Sequence, residues 1–226
     1  MARIVIVGDG ETAELAYEYF TCDSPHEVVA FAVEREFAKK DKLFDLPVIH
    51  FEEMARLYPP AEYKAFVAIS YTQLNRVRRR LYQATKEKGY ECVSYISSRA
   101  FVWRNVEIGE NCFILENNVL QYRVRLGNNV VLWSGNHVGH QTVIKDNVFV
   151  SSHVVISGYC EIGENCFLGV NSCVADTRKV ARDCLIGMGA VVNKDTAEGK
   201  VYRGSPAKPS SVDSFTIFKV KSEDAA

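Results

Sequence analysis

The sequence predicts a two-part fold of class α/β plus β, in which a small Rossmann-like parallel-sheet domain precedes a parallel β-helix. Three observations predict it. Short apolar strands alternate with helical segments through the first 96 residues. An aliphatic residue then recurs at every sixth position from Ile96 to Val192 without interruption. The change of period near Ser97 marks the boundary between the two parts.

The N-terminal part is expected to alternate strands with helices. We expect strands at residues 3–7, 26–33, 46–49, 64–69 and 92–96, and helices at residues 13–20, 51–57 and 73–88. This alternation is typical of a small parallel sheet with helices on its faces. The last helix carries the basic cluster Arg76, Arg78, Arg79 and Arg80. We interpret that cluster as a solvated face, with phosphate contact as the alternative.

The turn after the first strand is the first candidate binding feature. Its glycines, Gly8 and Gly10, match part of the GxGxxG fingerprint, and Ala13 stands at the third glycine position. Such a turn leads into a helix N-terminus that attracts phosphate, although a plain strand-to-helix turn has the same pattern. Residues at the ends of later strands would face the same ligand. The candidates for binding a nucleotide or a sugar are Gly8, Asp9, Gly10, Glu34, Arg35 and Ser70.

The six-residue repeat carries the prediction for the second part. Seventeen consecutive aliphatic residues keep the period, and a small or slim residue usually lies two positions before each. They are Ile96, Val102, Ile108, Ile114, Leu120, Leu126, Leu132, Val138, Ile144, Val150, Ile156, Ile162, Leu168, Val174, Val180, Ile186 and Val192. A period of six suits short strands joined by tight corners, where Gly or Asn supplies a positive φ. Three repeats would make a rung, and rungs would stack roughly 4.8 Å apart.

Two stretches depart from the repeat. The charged run from Asp176 to Lys179 predicts a distorted corner or a small bulge. Trp133 is unusually large for an exposed coil face, so it is expected to pack on a neighbouring subunit or to line a pocket.

We divide the chain into residues 1–96, 97–194 and a tail of 195–226, whose last few residues are expected to be disordered.

Composition excludes several classes of protein. The net charge of −1 argues against a nucleic-acid or membrane-surface protein. No stretch approaches the roughly 20 apolar residues of a membrane span, and the start lacks the pattern of a signal peptide. The seven cysteines form no CxxC pair, and Cys112, Cys160, Cys166 and Cys184 fall at the slim position of the repeat. A cytoplasmic protein without disulfides or a thiolate metal site is expected.

Three histidines, His137, His140 and His153, lie close together in the repeat region. Their spacing does not suit a metal site, and no metal is expected. His153 lies in the eighteen-residue column of Asn117, Gly135 and Asn171, which predicts a corner position. It is therefore structural or lines a binding groove. For His140 and His137, a polar corner residue is the alternative to a catalytic role.

The repeat, the stretch at residues 135–144 and the ending Gly204-Ser205-Pro206-Ala207-Lys208 resemble hexapeptide-repeat sugar acyltransferases of the NeuD/PglD type. The resemblance implies a left-handed coil, a homotrimer with sites between neighbours, and His140 as general base. It also implies a donor to the thioester oxygen from the Gly158 N–H. Acetyl-CoA would lie along Gly158, Val170 and Gly187 and reach Lys208. Where the family has an acidic residue after the base, this chain has Gln141. Gln141, His137, a backbone carbonyl or a carboxylate of a neighbouring subunit would then orient the imidazole.

These expectations combine into a function. We expect an acetyl-CoA-dependent N-acetyltransferase that acts on the amino group of a nucleotide-linked amino-dideoxy sugar in polysaccharide or glycan synthesis. The amine would attack the thioester directly, with His140 taking its proton. The alternatives are O-acetylation of a sugar such as sialic acid, and a non-catalytic scaffold or sugar-binding module. A dehydrogenase is disfavoured by the incomplete fingerprint. The sugar and its nucleotide (UDP, GDP or dTDP) are not specified by the sequence.

Overall fold

The computed structural model describes residues 1–219, so the expected disorder of the last few residues lies outside the described chain. The N-terminal strands are β1 Arg3–Val7, β2 Glu27–Val33, β3 Lys42–Leu43, β4 Leu46–His50 and β5 Lys64–Val67. The helices are α1 Glu11–Asp23, α2 Met54–Leu57 and α3 Arg76–Glu87, with 3-10 turns at Arg35–Phe37 and Phe51–Glu53. The sheet order is β3-β4-β2-β1-β5, parallel except for the short β3. The expected small parallel sheet is confirmed.

Two N-terminal expectations need correction. The strand expected at residues 92–96 is divided, because Cys92 makes only an isolated bridge to Ala65 while Tyr95–Ile96 pairs with a coil strand. Helix α3 begins at Arg76 rather than at residue 73, because Gln73, Leu74 and Asn75 all have positive φ angles and form a left-handed turn. Tertiary contacts decide both cases. The Asn75 amide, for example, donates to two carbonyls of the coil, each at 3.1 Å.

The second part is a coil of parallel two-residue strands that form three faces. The first face contains β7 Phe101–Val102, β10 Val119–Leu120, β13 His137–Val138, β16 Val155–Ile156, β19 Cys173–Val174 and β22 Val191–Val192. The second face contains β8 Glu107–Ile108, β11 Arg125–Leu126, β14 Val143–Ile144, β17 Glu161–Ile162 and β20 Lys179–Val180. The third face contains β6 Tyr95–Ile96, β9 Phe113–Ile114, β12 Val131–Leu132, β15 Phe149–Val150, β18 Phe167–Leu168, β21 Leu185–Ile186 and β23 Val201–Tyr202.

The predicted register and core of this coil are confirmed. Strands one rung apart pair with an offset of eighteen residues, as Val119 does with His137. Every repeat aliphatic from Ile114 onward is buried. Ile96, Val102 and Ile108 are less buried because they lie at the open first rung, which has no rung beneath it. The four cysteines at the slim position are buried free thiols, and burial raises the pKa of Cys166 to about 12.

Three columns of corner residues connect the faces. The asparagine corner joins the second face to the third, and its residues have positive φ angles. It consists of Asn111, Asn129, Asn147, Asn165 and Asp183. Their side chains hydrogen bond along the column, for example from Asn129 Nδ2 to Asn147 Oδ1 at 2.8 Å. The cavity corner joins the third face to the first and consists of Asn117, Gly135, His153, Asn171 and Gly189 with their preceding residues. The His140 corner joins the first face to the second.

The charged run in the His140 corner is not distorted, which corrects the expected bulge. Thr177 takes the same left-handed conformation as Tyr159 and Gln141, the residues one and two rungs earlier. Lys179–Val180 pairs in register with Glu161–Ile162. The charges are tolerated because the outer side of this corner is exposed to solvent.

The N-terminal domain covers the third face of the coil. Phe113 and Phe149 of that face join one core cluster with Phe20, Phe31 and Phe66 of the domain. This aromatic layer fixes the domain against the coil, so residues of both parts can form one site.

The basic cluster on α3 is not a solvated face, which corrects the sequence interpretation. Arg78 is buried against the asparagine corner, and its Nη2 donates to the Asn147 carbonyl at 3.0 Å. Burial lowers the pKa of Arg78 to about 9. Arg76 forms an ion pair with Asp183 at 2.6 Å, and Arg80 pairs with Glu34 at 2.6 Å. The helix is strongly hydrophilic and was therefore expected to face solvent. The coil instead supplies carbonyl and carboxylate acceptors to it.

The tail begins as part of the coil. Val201–Tyr202 pairs with Leu185–Ile186 and adds a last strand to the third face. A short helix α4, Ser214–Phe218, follows, with Asp213 accepting a hydrogen bond from the Thr216 N–H. Within residues 1–219, no helix is long and apolar enough to cross a membrane.

Candidate active site

His140 stands exposed at the corner between the first and second faces, directly after the buried Gly139. The next rung passes close beneath its ring. A β-carbon placed on Gly158 would lie 2.6 Å from His140 Cε1 and 2.9 Å from its Nε2. The His140 backbone is held as well, because its N–H donates to Gln121 Oε1 at 3.1 Å. The corner therefore presents a fixed imidazole to solvent on a glycine floor.

Gln141 does not orient the imidazole directly. Its Nε2 donates to the Tyr159 hydroxyl at 2.9 Å. The Tyr159 ring lies nearly perpendicular to the His140 ring, with 4.9 Å between the ring centroids. Gln141 thus reaches His140 through a tyrosine that the sequence analysis did not single out. The eighteen-residue register alone places residue 159 beside residue 141, so this neighbour was available from the repeat.

The Gly158 N–H, the expected donor to the thioester oxygen, is hydrogen bonded within the coil. It donates to Asp176 Oδ1 at 2.8 Å. The same arrangement recurs at the asparagine corner, where the Asn128 N–H donates to Asp146 Oδ1 one rung further on. Asp176 therefore caps the corner as part of the coil. An incoming carbonyl oxygen would have to displace this carboxylate to reach the Gly158 N–H.

The other two coil histidines lie elsewhere. His137 is half-buried in β13, where its side chain lies in the outward row of the first face between Val119 and Val155. His153 occupies the cavity corner with a φ of 58°, as its column predicts, and its ring packs over Gly135. Within residues 1–219, no group of His, Cys, Asp or Glu side chains gathers into a possible metal site.

A cavity of about 940 Å³ opens between the N-terminal sheet and the cavity corner. Gly8, Glu34 and Ser70 follow strands β1, β2 and β5, so the cavity lies at the carboxyl ends of parallel strands. Ligands of open α/β sheets bind at that edge. Most of the predicted nucleotide-sugar residues line this cavity, namely Gly8, Asp9, Gly10, Glu34 and Ser70. Arg35 lies outside the lining and points to Glu53 at 3.5 Å.

The coil contributes an aromatic wall to the cavity. Trp133 and Phe149 line it with ring centroids 6.4 Å apart, and Tyr71 packs on Phe149 at 5.1 Å. The expectation that Trp133 lines a pocket or a subunit contact is confirmed for the pocket. Phe149 was missed because outward positions of the third face carry no signal until the domain that covers them is known. Tyr71 was missed because nothing local shows that the segment after β5 meets the coil.

The charged side chains in the described lining of the cavity are all acidic. Asp9, Glu11 and Glu34 line it, and among the described residues the lining contains no lysine, arginine or histidine. Arg80 approaches from behind, and its bidentate hydrogen bonds to the carboxylate lower the pKa of Glu34. The uncharged donors are hydroxyl groups such as Ser70 and the first N–H groups of α1.

The residues expected to form one coenzyme A groove do not share a corner. Val170 belongs to the cavity corner and lines the cavity, whereas Gly158 lies at the His140 corner. Gly187 also follows the third face, and its N–H donates to the Tyr202 carbonyl at 2.7 Å. Lys208 is exposed beyond β23. Within one chain, the cavity and His140 therefore lie at different corners of the triangular coil.

Comparison with known proteins supports this architecture. The sequence family model described as bacterial transferase hexapeptide (six repeats) matches residues 123–158, which include His140 and Gly158. A search of curated protein sequences gives no match.

Several solved structures resemble the chain over 92% of its length. A variant of perosamine N-acetyltransferase from Caulobacter crescentus, in complex with CoA and GDP-perosamine, has 23% identity, a TM-score of 0.81 and 96% of its chain covered. The acetyltransferase domain of PglB from Neisseria gonorrhoeae has the same identity and TM-score, with 100% of that chain covered. WeeI from Acinetobacter baumannii has 20% identity, a TM-score of 0.62 and 99% covered. The shared fold is a small α/β domain followed by a left-handed parallel β-helix, as predicted.

Proposed function

We propose that the chain is an acetyl-CoA-dependent N-acetyltransferase that acts on the amino group of a nucleotide-linked amino-dideoxy sugar in polysaccharide or glycan synthesis. One observation carries the proposal. An exposed imidazole is fixed on a glycine floor at a coil corner, in a chain whose fold matches a perosamine N-acetyltransferase bound to CoA and GDP-perosamine over 92% of its length. The cavity at the sheet edge supplies a separate place for the sugar.

In the proposed reaction, His140 acts as general base. Its neutral imidazole takes a proton from the sugar amine as the nitrogen attacks the thioester carbonyl. The carbon–sulfur bond then breaks, and the coenzyme A thiolate receives the proton from the imidazolium. No acyl-enzyme is needed for direct attack, and Cys112, Cys160, Cys166 and Cys184 are too deeply buried in the coil to form one. The oxyanion would use the Gly158 N–H after Asp176 turns aside.

We assign the acceptor to the cavity. The first N–H groups of α1 and the hydroxyl groups of Ser70 and Thr72 are the donors available to phosphate oxygens. Glu34 would accept a hydrogen bond from a ribose hydroxyl, because its ion pair with Arg80 keeps it ionised. The aromatic wall around Trp133 would hold the sugar ring.

We further propose a cytoplasmic homotrimer whose sites form between neighbours. The first face presents an outward row in which Phe101, Val155 and Val191 are at least 44% exposed. A row of this kind is suited to packing against another copy of the coil. Because the cavity and His140 lie at different corners of one chain, two subunits side by side would bring one subunit's cavity to its neighbour's His140. The seven free cysteines fit a reducing compartment.

The test is thiol release from acetyl-CoA with a panel of UDP-, GDP- and dTDP-linked 3-amino and 4-amino sugars. Wild type and His140→Ala are compared, with His153→Ala as a control at the cavity corner. Turnover of one panel member that falls at least about 100-fold in His140→Ala, and in no other variant, would establish the reaction. Failure of wild type with every amino sugar would overturn the assignment, and sialic acid in the same assay would test O-acetylation.

A second acceptor class is favoured by the acidic lining of the cavity. Asp9, Glu11 and Glu34 would attract an ammonium group and repel phosphate. An amino sugar without a nucleotide is therefore included in the panel. Turnover of the unlinked sugar with a kcat/KM at or above that of every nucleotide-linked form would replace the nucleotide-linked acceptor.

A further inference from the structure

The base at the His140 corner lacks the acidic neighbour that the family resemblance leads us to expect. Residue 141 is a glutamine, and its amide is directed to the hydroxyl of Tyr159 rather than to the imidazole. The ring of Tyr159 in turn lies against the imidazole, nearly perpendicular to it, at 4.9 Å between centroids. The two residues form a chain of contacts that ends on the base.

The backbone binds these residues into one unit. The Tyr159 N–H donates to the His140 carbonyl at 2.9 Å, across the rung spacing. Gly158, the residue before Tyr159, forms the floor under the imidazole. The imidazole therefore has a floor and a wall from consecutive residues of the next rung.

Tyr159 is an unfavourable residue for folding at this position. Its φ angle is 57°, in the left-handed region where Asn and Gly are favoured, and its side chain is 55% exposed. A non-glycine residue in that conformation costs roughly 1 kcal/mol, and the cost is lower for asparagine than for tyrosine. Little apolar area is buried in return. Arg123, Gln141 and Thr177 take the same left-handed conformation at the equivalent positions of this corner, so what distinguishes Tyr159 is its ring contact with His140.

We propose that Tyr159 is the positioning residue of His140, with Gln141 holding its hydroxyl, in place of a carboxylate partner. This inference rests on the proposed function of His140 as general base. The aromatic ring packs edge-to-face with the imidazole, which limits rotation of the imidazole and holds it in one orientation for proton transfer. The contact supplies orientation without adding a negative charge to the site.

The experiment compares four full-length variants with wild type: Tyr159→Phe, Tyr159→Asn, Gln141→Glu and the double variant Tyr159→Asn with Gln141→Glu. Tyr159→Phe keeps the ring, and we expect its kcat to stay within about threefold of wild type. Tyr159→Asn removes the ring where the backbone favours asparagine. We expect its kcat to fall at least about 10-fold, with both KM values within about twofold and a Tm equal to or above wild type.

Rescue tests the orienting role. In the double variant, the carboxylate introduced by Gln141→Glu would lie beside the base without the tyrosine, so we expect this variant to recover much of the lost kcat. The acid limb of its kcat/KM profile should move to higher pH, because a carboxylate favours the charged imidazole. The inference is overturned if Tyr159→Asn retains wild-type kcat, or if its activity and Tm fall together.

A measurement without turnover separates this inference from the proposed function. Protein labelled with ¹³C-histidine gives side-chain signals, and the His140 signal is assigned with His140→Asn. We expect Tyr159→Asn to shift that signal through loss of the ring current, and to leave the His26 and His50 signals in place. A shift in a protein that acetylates no acceptor would support the contact while the proposed function fails. An unmoved signal in an active enzyme would overturn the positioning role alone.

Discussion

The imidazole of His140 lies over Gly158 at a distance that only a residue without a β-carbon permits. An added methyl group would come within 3.0 Å of Cε1, Nε2 and Nδ1 of the ring. Because these atoms belong to a side chain, the ring would move and the backbone would stay. The glycine thus sets where the base stands on the corner.

Gly158→Ala should therefore impair catalysis more than folding. Gly158 does not have a positive φ, so alanine adds no backbone strain. We expect kcat to fall at least about 10-fold because the imidazole is displaced from its site, while Tm changes by only a few degrees. Steady-state kinetics and a thermal melt check this. A variant with unchanged kcat would show that the imidazole works from another position.

Trp133→Ala should weaken binding of the acceptor. The indole lines the cavity beside Phe149, and its loss removes the largest aromatic surface available to the sugar. We expect the KM of the acceptor to rise about 10-fold, or roughly 1.4 kcal/mol, with the KM of acetyl-CoA unchanged. Trp103→Ala is the matched control, since Trp103 is similarly exposed but outside the cavity lining. A rise only in the KM of acetyl-CoA would move Trp133 to the donor site.

The carboxyl group of Asp23 should make the free energy of unfolding depend on pH in the acidic range. It accepts hydrogen bonds from the Ser98 N–H at 2.9 Å and the Tyr95 hydroxyl at 2.6 Å, which lower the pKa of Asp23 to about 2. A carboxyl whose pKa is lower in the folded state stabilises the fold above its unfolded pKa. That contribution is lost as the pH falls from about 4 to about 2.

Asp23→Asn should accordingly flatten this part of the stability curve. Urea unfolding at several pH values between 2 and 6 measures the slope, and Asp45→Asn, in the β3–β4 turn, is the control. An equal slope for wild type and Asp23→Asn would show that these hydrogen bonds do not favour the ionised carboxyl.

Arg78→Met should stabilise the protein. Among the described residues, Arg78 Nε and Nη1 are buried without a hydrogen-bond partner, and no carboxylate compensates the charge. Methionine keeps the apolar stem and removes these orphaned donors. We expect the free energy of unfolding to rise by roughly 1–3 kcal/mol at pH 7. Arg79→Met on the same helix should change it by less than about 0.5 kcal/mol. A less stable Arg78→Met variant would mean that the hydrogen bonds to the coil carbonyls outweigh the buried charge.

The repeat predicted the coil closely because one requirement, an inward aliphatic at every sixth residue, fixes strands, rungs and corners together. Leu132 and Val150 are buried one above the other, and His153 stands in the corner column that its spacing assigns. The stacking of Gly158 and Tyr159 near His140 also follows from the eighteen-residue rung. The periodic part of the candidate site was therefore accessible from sequence.

The rest depended on contacts between the two parts, which no local pattern encodes. Arg78 looked solvated because its helix is strongly basic, yet the coil buries it. The expected helix start at Gln73 failed because the side chain of Asn75 reaches the coil. The place of Val170 in the cavity lining was not predicted, because sequence spacing does not show which corner the N-terminal domain covers. The capping of Gly158 by Asp176 was missed because charge in the repeat suggested irregularity.

The coil has two periods that must both be kept. An inward aliphatic is required at every sixth residue, whereas the chain returns to the third face, which contacts the N-terminal domain, only once in eighteen residues. Deleting residues 115–120 would keep every later aliphatic inside and leave His140 above Gly158. The whole downstream coil would nevertheless turn by one face, so that Val155 would replace Phe149 against the domain. Insertions or deletions of eighteen residues preserve both periods. Changes by whole rungs are therefore the length changes that this architecture can accommodate.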